Sequence, residues 1–206
     1  MGQDELYNGL QDDFDSYLAE AHGRYRRAIV CQDYEAPIEI FDRHLYQKGG
    51  LVLFMLRRLL GDETFFAGVR VYLTRHARSI VETRDLMRAL EDVSGRGLEQ
   101  FFEQWVYRAG HPELEVKVEH EDQVLTVTVK QVQKVDKETP CFVFPLAFEV
   151  TPTRGKPVRH TRQIDKASRP SPSLAPSDRA SFRSTRSSPS WPTFGWTCRR
   201  TCCGDS

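Results

Sequence analysis

The spacing of apolar residues along this chain changes once, at Gly110-His111-Pro112. Before that point apolar residues recur every three or four positions, which is typical of amphipathic helices that pack on one another. After it they alternate with polar residues, which is typical of half-buried strands. Because the helices precede the strands instead of alternating with them, the pattern predicts an α+β fold or two adjoining domains.

Five helices are predicted before the change of period. They fall at 14–25, 45–60, 62–73, 83–93 and 98–106. We expect Gly61 and Gly95 to end the second and fourth helices, because glycine adopts the backbone conformation that commonly follows a helix. Asp62 and Thr83 are predicted to cap the third and fourth. In the second, third and fourth helices, Leu53, Leu73 and Val93 respectively are expected on the buried faces.

Four strands are predicted after the change of period. They fall at 114–119, 124–132, 141–150 and 157–164, with turns at 121–123 and 153–156. The third strand is continuously apolar but contains Pro145, which cannot donate a ladder hydrogen bond. We therefore expect Pro145 at a bulge or at the edge of an antiparallel sheet.

Residues 167–206 differ in composition from the rest of the chain. They hold ten Ser, five Pro and six Arg, but one Leu and no Ile or Val. Such a segment buries too little apolar surface to offset its ordering entropy, so a disordered tail is predicted. Three of the five cysteines lie here as C-x-x-x-C-C (Cys198, Cys202 and Cys203), which lacks the fourth ligand of a structural zinc site.

The formal net charge of zero is an average over two unlike segments. Residues 167–206 carry six Arg against two Asp, a net of +4, and residues 1–166 carry 23 basic and 27 acidic residues, a net of −4. Bulk charge therefore argues against a nucleic-acid partner. No run of 18 apolar residues occurs, so no membrane partner is expected and a cytoplasmic location is predicted.

The residues alone give no complete active site. The sequence contains no H-E-x-x-H, G-x-S-x-G, P-loop or Rossmann motif. One segment is unusual: Tyr46 opens the second helix, and Gly49 and Gly50 follow it, although each glycine costs about 1 kcal/mol relative to Ala inside a helix. Close approach of a backbone or a substrate would require them. Tyr46 is either a packed core tyrosine or a phenol presented near a helix N-terminus, where developing negative charge is favoured.

The stretch from Tyr46 to Pro112 carries an ordered series of short motifs. They are Tyr-x-Lys-Gly at Tyr46, Leu59-Leu60-Gly61, Phe66, Tyr72-Leu73, His76, Asp85-Leu86, Leu90-Glu91, Ser94-Gly95, Phe101-Phe102, Trp105 and Gly110-His111-Pro112. In this order the series resembles the aminopeptidase N family of zinc metallopeptidases (gluzincins), in particular its bacterial branch. The likeness is strong over 46–112 and extends more weakly over 24–166.

The resemblance implies the C-terminal helical part of a thermolysin-like catalytic domain, followed by a small antiparallel β-sandwich. It also implies zinc in the complete enzyme, held by an H-E-x-x-H helix and a downstream Glu that precede Tyr-x-Lys-Gly by many tens of residues. Only 45 residues precede Tyr46 here and they lack that motif, so no metal ligand is expected and no zinc should bind this chain alone. His44, His76 and His111 match none of the family's ligands and are expected to be structural.

One catalytic residue carries over from the resemblance. Tyr46 matches the family's tyrosine, whose hydroxyl donates a hydrogen bond to the oxyanion of the tetrahedral intermediate. Gly49 and Gly50 would then leave room beside the metal-bearing helix. The resemblance does not extend into the tail, and we hypothesise that the coding frame changes near Ser168, so that 169–206 is out of frame.

Three segments are predicted: 1–112 as the helical C-terminal part of a zinc aminopeptidase catalytic domain, 113–166 as a small β-sandwich, and 167–206 as the tail. The function expected by resemblance is that of a fragment of a metallo-aminopeptidase, a hydrolase that removes N-terminal residues from peptide substrates. The chain alone should be inactive, and its exposed apolar helix faces should favour self-association. The alternative is a non-catalytic scaffold or protein-interaction module derived from that family.

Overall fold

A computed structural model of the chain describes residues 2–121, 124–152, 156–165, 169–170 and 180–183. The chain divides into two compact units, the first ending at Gly110 and the second beginning at His111. The first unit is helical and the described part of the second consists of antiparallel strands, so the predicted α+β class is confirmed. None of the helices in the described residues is long and apolar enough to span a bilayer.

The first unit contains five α-helices and two short helical turns. The helices are α1 (Gln3–Gly23), α2 (Gly49–Leu60), α3 (Asp62–Arg75), α4 (Thr83–Ser94) and α5 (Glu99–Trp105). A 3₁₀ turn at Pro37–Ile40 and a π-helical turn at His44–Lys48 lie between α1 and α2. The five predicted helices are therefore present, but the first turn of the second has a wider geometry than predicted.

The core of this unit combines side chains from all of these helices. Buried apolar residues include Phe14, Tyr17, Ala21, Leu51, Val52, Met55, Leu56, Phe65, Ala89, Leu90, Phe102 and Trp105. Each large side chain contributes about 1.5–3 kcal/mol on burial. Leu53, Leu73 and Val93, predicted to face inward, are instead exposed. The π-helical turn adds a residue before α2 and so rotates its apolar face, while Leu73 and Val93 lie in the last turns of their helices.

Two predicted caps are wrong by one residue. Asp62 and Thr83 are the first residues of α3 and α4, and the residues that precede them are the caps. Glu82 has the extended backbone of a cap, and its N–H donates to Asp85 Oδ2 at 2.9 Å in a capping box. This reciprocal bond outweighs the local preference for threonine at the cap. Gly61 and Gly95 end α2 and α4 with positive φ, as predicted.

The described residues of the second unit form two three-stranded antiparallel sheets. Its strands are β1 (Leu114–Glu121), β2 (Val124–Gln131), β3 (Phe144–Pro152), β4 (Val158–Ile164), β5 (Arg169–Pro170) and β6 (Ala180–Arg183), ordered β1-β2-β5 and β4-β3-β6. Leu125, Val127 and Val129 are buried, as the alternation predicted. Pro145 pairs with Gln163 of β4, while β6 pairs with Glu149–Pro152. β3 is therefore the middle strand of its sheet and not an edge strand as a whole, but among the described strands Pro145 pairs on one side only.

The segment predicted to be a disordered tail lies mostly outside the described residues, including Cys198, Cys202 and Cys203. Within it, β5 pairs with β2 and β6 pairs with β3, so these two short pieces are strands where disorder was predicted. An edge strand offers unpaired backbone groups to any extended segment, whatever its side chains, and composition does not predict such pairing.

Candidate functional site

Tyr46 lies in the π-helical turn that precedes α2. Its side chain is 56% exposed, and its ring packs edge-on against Phe41 with 6.0 Å between ring centroids. Among the side chains that the structure describes, the Tyr46 hydroxyl has no hydrogen-bond partner. The arrangement therefore presents a phenol at the surface of the helical unit.

Asp42 lies just before this turn and collects five hydrogen bonds. Its Oδ1 accepts from the backbone N–H groups of His44 and Leu45, both at 2.9 Å, and from an Arg27 guanidinium nitrogen at 2.6 Å. Its Oδ2 accepts from Arg27 Nε and from the Tyr25 hydroxyl, both at 2.7 Å. Burial raises the pKa of Asp42, but the bonds from Arg27, Tyr25 and Leu45 outweigh it and hold the pKa below its ordinary value.

Arg27 ties Asp42 to the irregular segment that follows α1. Besides its two bonds to Asp42, its guanidinium donates to the carbonyls of Ala28 at 2.7 Å, Ile29 at 3.0 Å and Ile40 at 2.9 Å. All five donors of the guanidinium are thereby used. A fully satisfied, half-buried arginine of this kind forms a rigid anchor.

His44 lies two residues before Tyr46 and belongs to a cluster of charged and aromatic groups, formed with Tyr17, Glu20, Tyr25, Arg27, Asp42 and Lys48. Its ring is fully buried, stacked on Tyr25 at 5.2 Å and edge-on to Tyr17 at 5.3 Å. His44 Nδ1 lies 3.4 Å from Glu20 Oε2 and 3.5 Å from Asp42 Oδ2, and neither ring nitrogen has a hydrogen bond to a residue in the described ranges. Burial lowers the pKa of His44, only partly opposed by the charge of Asp42, so the ring is neutral at neutral pH.

Lys48 ends the same turn and is 3% exposed. Its Nζ donates to the carbonyl of Arg108 at 3.3 Å and lies 5.9 Å from the centre of the Tyr17 ring. Burial, with a smaller contribution from the charge of Arg27, lowers the pKa of Lys48 to about 7. The sequence showed this lysine inside the Tyr-x-Lys-Gly motif, but the spacing alone gave it no role.

Gly49 and Gly50 lie in the first turn of α2. A Cβ atom built on either residue has no atom within 4 Å. The close approach that the two glycines predicted is therefore not made by the residues that the structure describes.

A zinc ion would need ligands that are not already engaged. Glu20, Asp42 and His44 bring three potential ligand atoms within 4.8 Å of one another. The Asp42 carboxylate, however, is filled by five donors, two of them from the positively charged Arg27. Glu20 Oε2 also accepts from the N–H of Arg43 at 2.8 Å. A cation would have to displace Arg27, so these residues do not fit the zinc that the resemblance implies for the complete enzyme.

The sequence profile of the peptidase family M1 domain matches residues 5–105. This range runs from the first turn of α1 to the end of α5 and includes Tyr46 and the charged cluster around His44. The chain belongs to the aminopeptidase N family of metallopeptidases. Aminopeptidase N of Lactococcus lactis is 36% identical over 93 residues, which are 45% of this chain and 11% of that protein. Alanine/arginine aminopeptidase of Saccharomyces cerevisiae is 32% identical over 119 residues, 57% of this chain and 14% of that protein.

A solved structure gives the same fold assignment for this member of the M1 family. Legionella pneumophila aminopeptidase A in complex with aspartic acid superposes with a TM-score of 0.55 at 19% identity, over 72% of this chain and 17% of that one. At this identity the likeness shows the fold alone. The chain thus spans between about a tenth and a sixth of the length of these three relatives.

Proposed function

We propose that this chain supplies the C-terminal helical part of a zinc-dependent aminopeptidase catalytic domain, and that Tyr46 is its catalytic residue. The observation that carries the proposal is the surface position of the Tyr46 hydroxyl, on a turn whose backbone is fixed by Asp42. The M1 match over 5–105 supports the assignment to this part of the family's domain.

The chemistry that fits Tyr46 is stabilisation of an oxyanion. A phenol near the start of a helix donates a hydrogen bond where negative charge develops, and the helix dipole favours the same charge. A donor that is already in place when charge develops stabilises the transition state more than the substrate. In the complete enzyme the substrates would be peptides, hydrolysed at their N-terminal residues.

Zinc enters this proposal as a component of the complete enzyme. It supplies a Lewis acid and an activated water when bound. Because five donors already engage the Asp42 carboxylate, we infer that the zinc site of the complete enzyme is built from other residues, outside this chain. We therefore also infer that the chain alone is inactive. On α2 and α3, exposed apolar side chains support self-association of the isolated chain (Leu53, Phe66 and Leu73).

A chimera tests the proposal. In L. lactis aminopeptidase N, the segment that this chain matches is replaced by the corresponding residues of the chain, and release of the amino acid from an aminoacyl anilide is measured. We expect an active chimera in which Tyr46→Phe lowers kcat by about 10²–10³-fold with KM nearly unchanged, the effect of removing one oxyanion donor.

Tyr72→Phe is the matched control. Tyr72 lies on α3 with its ring against His76, and it takes no part in the cluster. It should leave kcat unchanged. An active chimera whose kcat is the same with Tyr46→Phe would contradict the role of Tyr46.

A further inference from the structure

We propose that Asp42 is the positioning residue for Tyr46: its carboxylate caps the helical turn that carries Tyr46 and ties that turn to Arg27. The inference rests on the proposed function of Tyr46 and adds the group that fixes the direction of its ring.

The backbone of the turn begins at Asp42. Arg43 directly precedes the π-helical turn and already has helical backbone angles (φ −74°, ψ −16°), so the helical backbone begins one residue before His44. Asp42 stands in the cap position before Arg43, and its carboxylate accepts from the N–H groups of His44 and Leu45, the second and third helical residues counted from Arg43. The next N–H, that of Tyr46, donates to the Asp42 carbonyl at 3.2 Å. Asp42 therefore binds three consecutive N–H groups, and the last of them belongs to Tyr46.

The side chain of Tyr46 is held from the same end. Phe41 precedes the cap and Tyr46 is the fourth helical residue, which are the two positions that form a hydrophobic staple. The two rings meet edge to face, with 6.0 Å between centroids and 63° between planes. The staple fixes the angle at which the chain enters the turn, and it leaves the hydroxyl exposed.

The geometry of the turn requires such a hold. The Lys48 N–H donates to the Arg43 carbonyl, five residues back, at 2.9 Å. Such π-helical turns are rare, occur mostly as single turns within α-helices, and are frequent at functional sites. A change to α-helical geometry would rotate the residues of the turn relative to α2 and redirect Tyr46. Arg27 donates hydrogen bonds to three backbone carbonyls and is therefore fixed in place. Its two hydrogen bonds to the Asp42 carboxylate in turn fix the start of the turn.

Hydrogen exchange on the full chain tests the hold without any assay of activity. We expect Asp42→Ala to speed amide exchange at Leu45 and Tyr46 on the order of tenfold, as loss of a cap allows the first turn to open. Asp42→Asn should restore most of the protection, because asparagine caps about as well as aspartate. Asp85→Ala is the matched control: it removes the aspartate that accepts from Glu82 at the start of α4. It should speed exchange there and leave Leu45 and Tyr46 unchanged.

The chimera tests whether the hold matters for the reaction. Asp42→Ala should lower kcat on the order of tenfold at constant KM, Asp42→Asn should recover most of it, and Asp85→Ala should change neither constant. Unchanged exchange at Leu45 and Tyr46 in Asp42→Ala would overturn the inference. An unchanged kcat in Asp42→Ala, in a chimera that Tyr46→Phe impairs, would also overturn it. If Tyr46→Phe has no effect, the proposed function fails instead, and the exchange rates still decide whether Asp42 holds the turn.

Discussion

The two units of this chain each bury a polar cluster, and the two clusters are satisfied in opposite ways. In the second unit, the buried side-chain amide of Gln131 bonds to both the N–H and the carbonyl of Phe142, at 3.0 and 2.8 Å. Gln133 donates to Gln131 at 2.8 Å and accepts from the N–H of Glu113 at 3.1 Å. These groups are neutral, and their hydrogen bonds extend the pairing of the sheet.

The cluster around His44 contains charged groups, and not all of its polar atoms have a hydrogen-bond partner among the described residues. It contains the ion pair of Arg27 with Asp42, a neutral His44 imidazole whose nitrogens have no hydrogen bond to a described residue, and a Lys48 whose pKa is lowered to about 7. Burying such groups costs stability, which the neutral amides of the second unit avoid. The difference suggests that the amide cluster serves the fold, whereas the charged cluster is retained for what it positions.

The largest expected effect on stability is in the neutral cluster. Gln131→Leu removes the two hydrogen bonds that the side-chain amide makes with the backbone of Phe142, and we expect the second unit to lose about 3 kcal/mol in urea denaturation. Gln163→Leu, on an exposed position of β4, should cost less than about 0.5 kcal/mol. A loss as small for Gln131→Leu would mean that the amide cluster does not support the fold.

Replacing Lys48 should raise the free energy of unfolding, whereas replacing Gln131 should lower it. Lys48→Met removes a buried charge, and we expect it to stabilise the first unit at pH 7 by about 2 kcal/mol, measured from the helical circular dichroism during urea unfolding. Because the pKa is about 7 in the folded chain and near 10.5 when unfolded, the unfolded state binds more protons between these values. Wild-type stability should rise with pH across this window, and the advantage of Lys48→Met should shrink. A constant difference from pH 7 to pH 10 would contradict the buried charge.

His44 should produce a smaller effect at acid pH. Because the folded-state pKa of His44 lies below 6.5, stability is present above pH 6.5 and is lost as the pH falls below it. His44→Phe keeps a ring in place and should reduce this loss of stability between pH 6.5 and 5, measured by urea unfolding at each pH. The same acid sensitivity in His44→Phe and in the wild type would assign the loss to other groups.

The sequence predicts the helices and strands better than it predicts the residues that hold Tyr46 in place. The five helices and the first four strands follow from periodicity, because each depends on residues near in sequence. Tyr46 follows from a motif, but its supporting residues do not. Arg27 reaches Asp42, 15 positions further along the chain, across a mostly irregular segment whose path no periodicity describes. The available signal was Phe41-Asp42 directly before a helix, the pattern of a staple and a cap.

The most direct test of the account is the affinity of the chimera for a tetrahedral phosphinic peptide, which resembles the transition state. If Tyr46 donates its hydrogen bond to the oxyanion, Tyr46→Phe should weaken this affinity by about the same factor as it lowers kcat/KM, roughly 10²–10³, while a planar amide ligand binds as before. Equal affinity of the two chimeras for the phosphinic peptide would contradict the account.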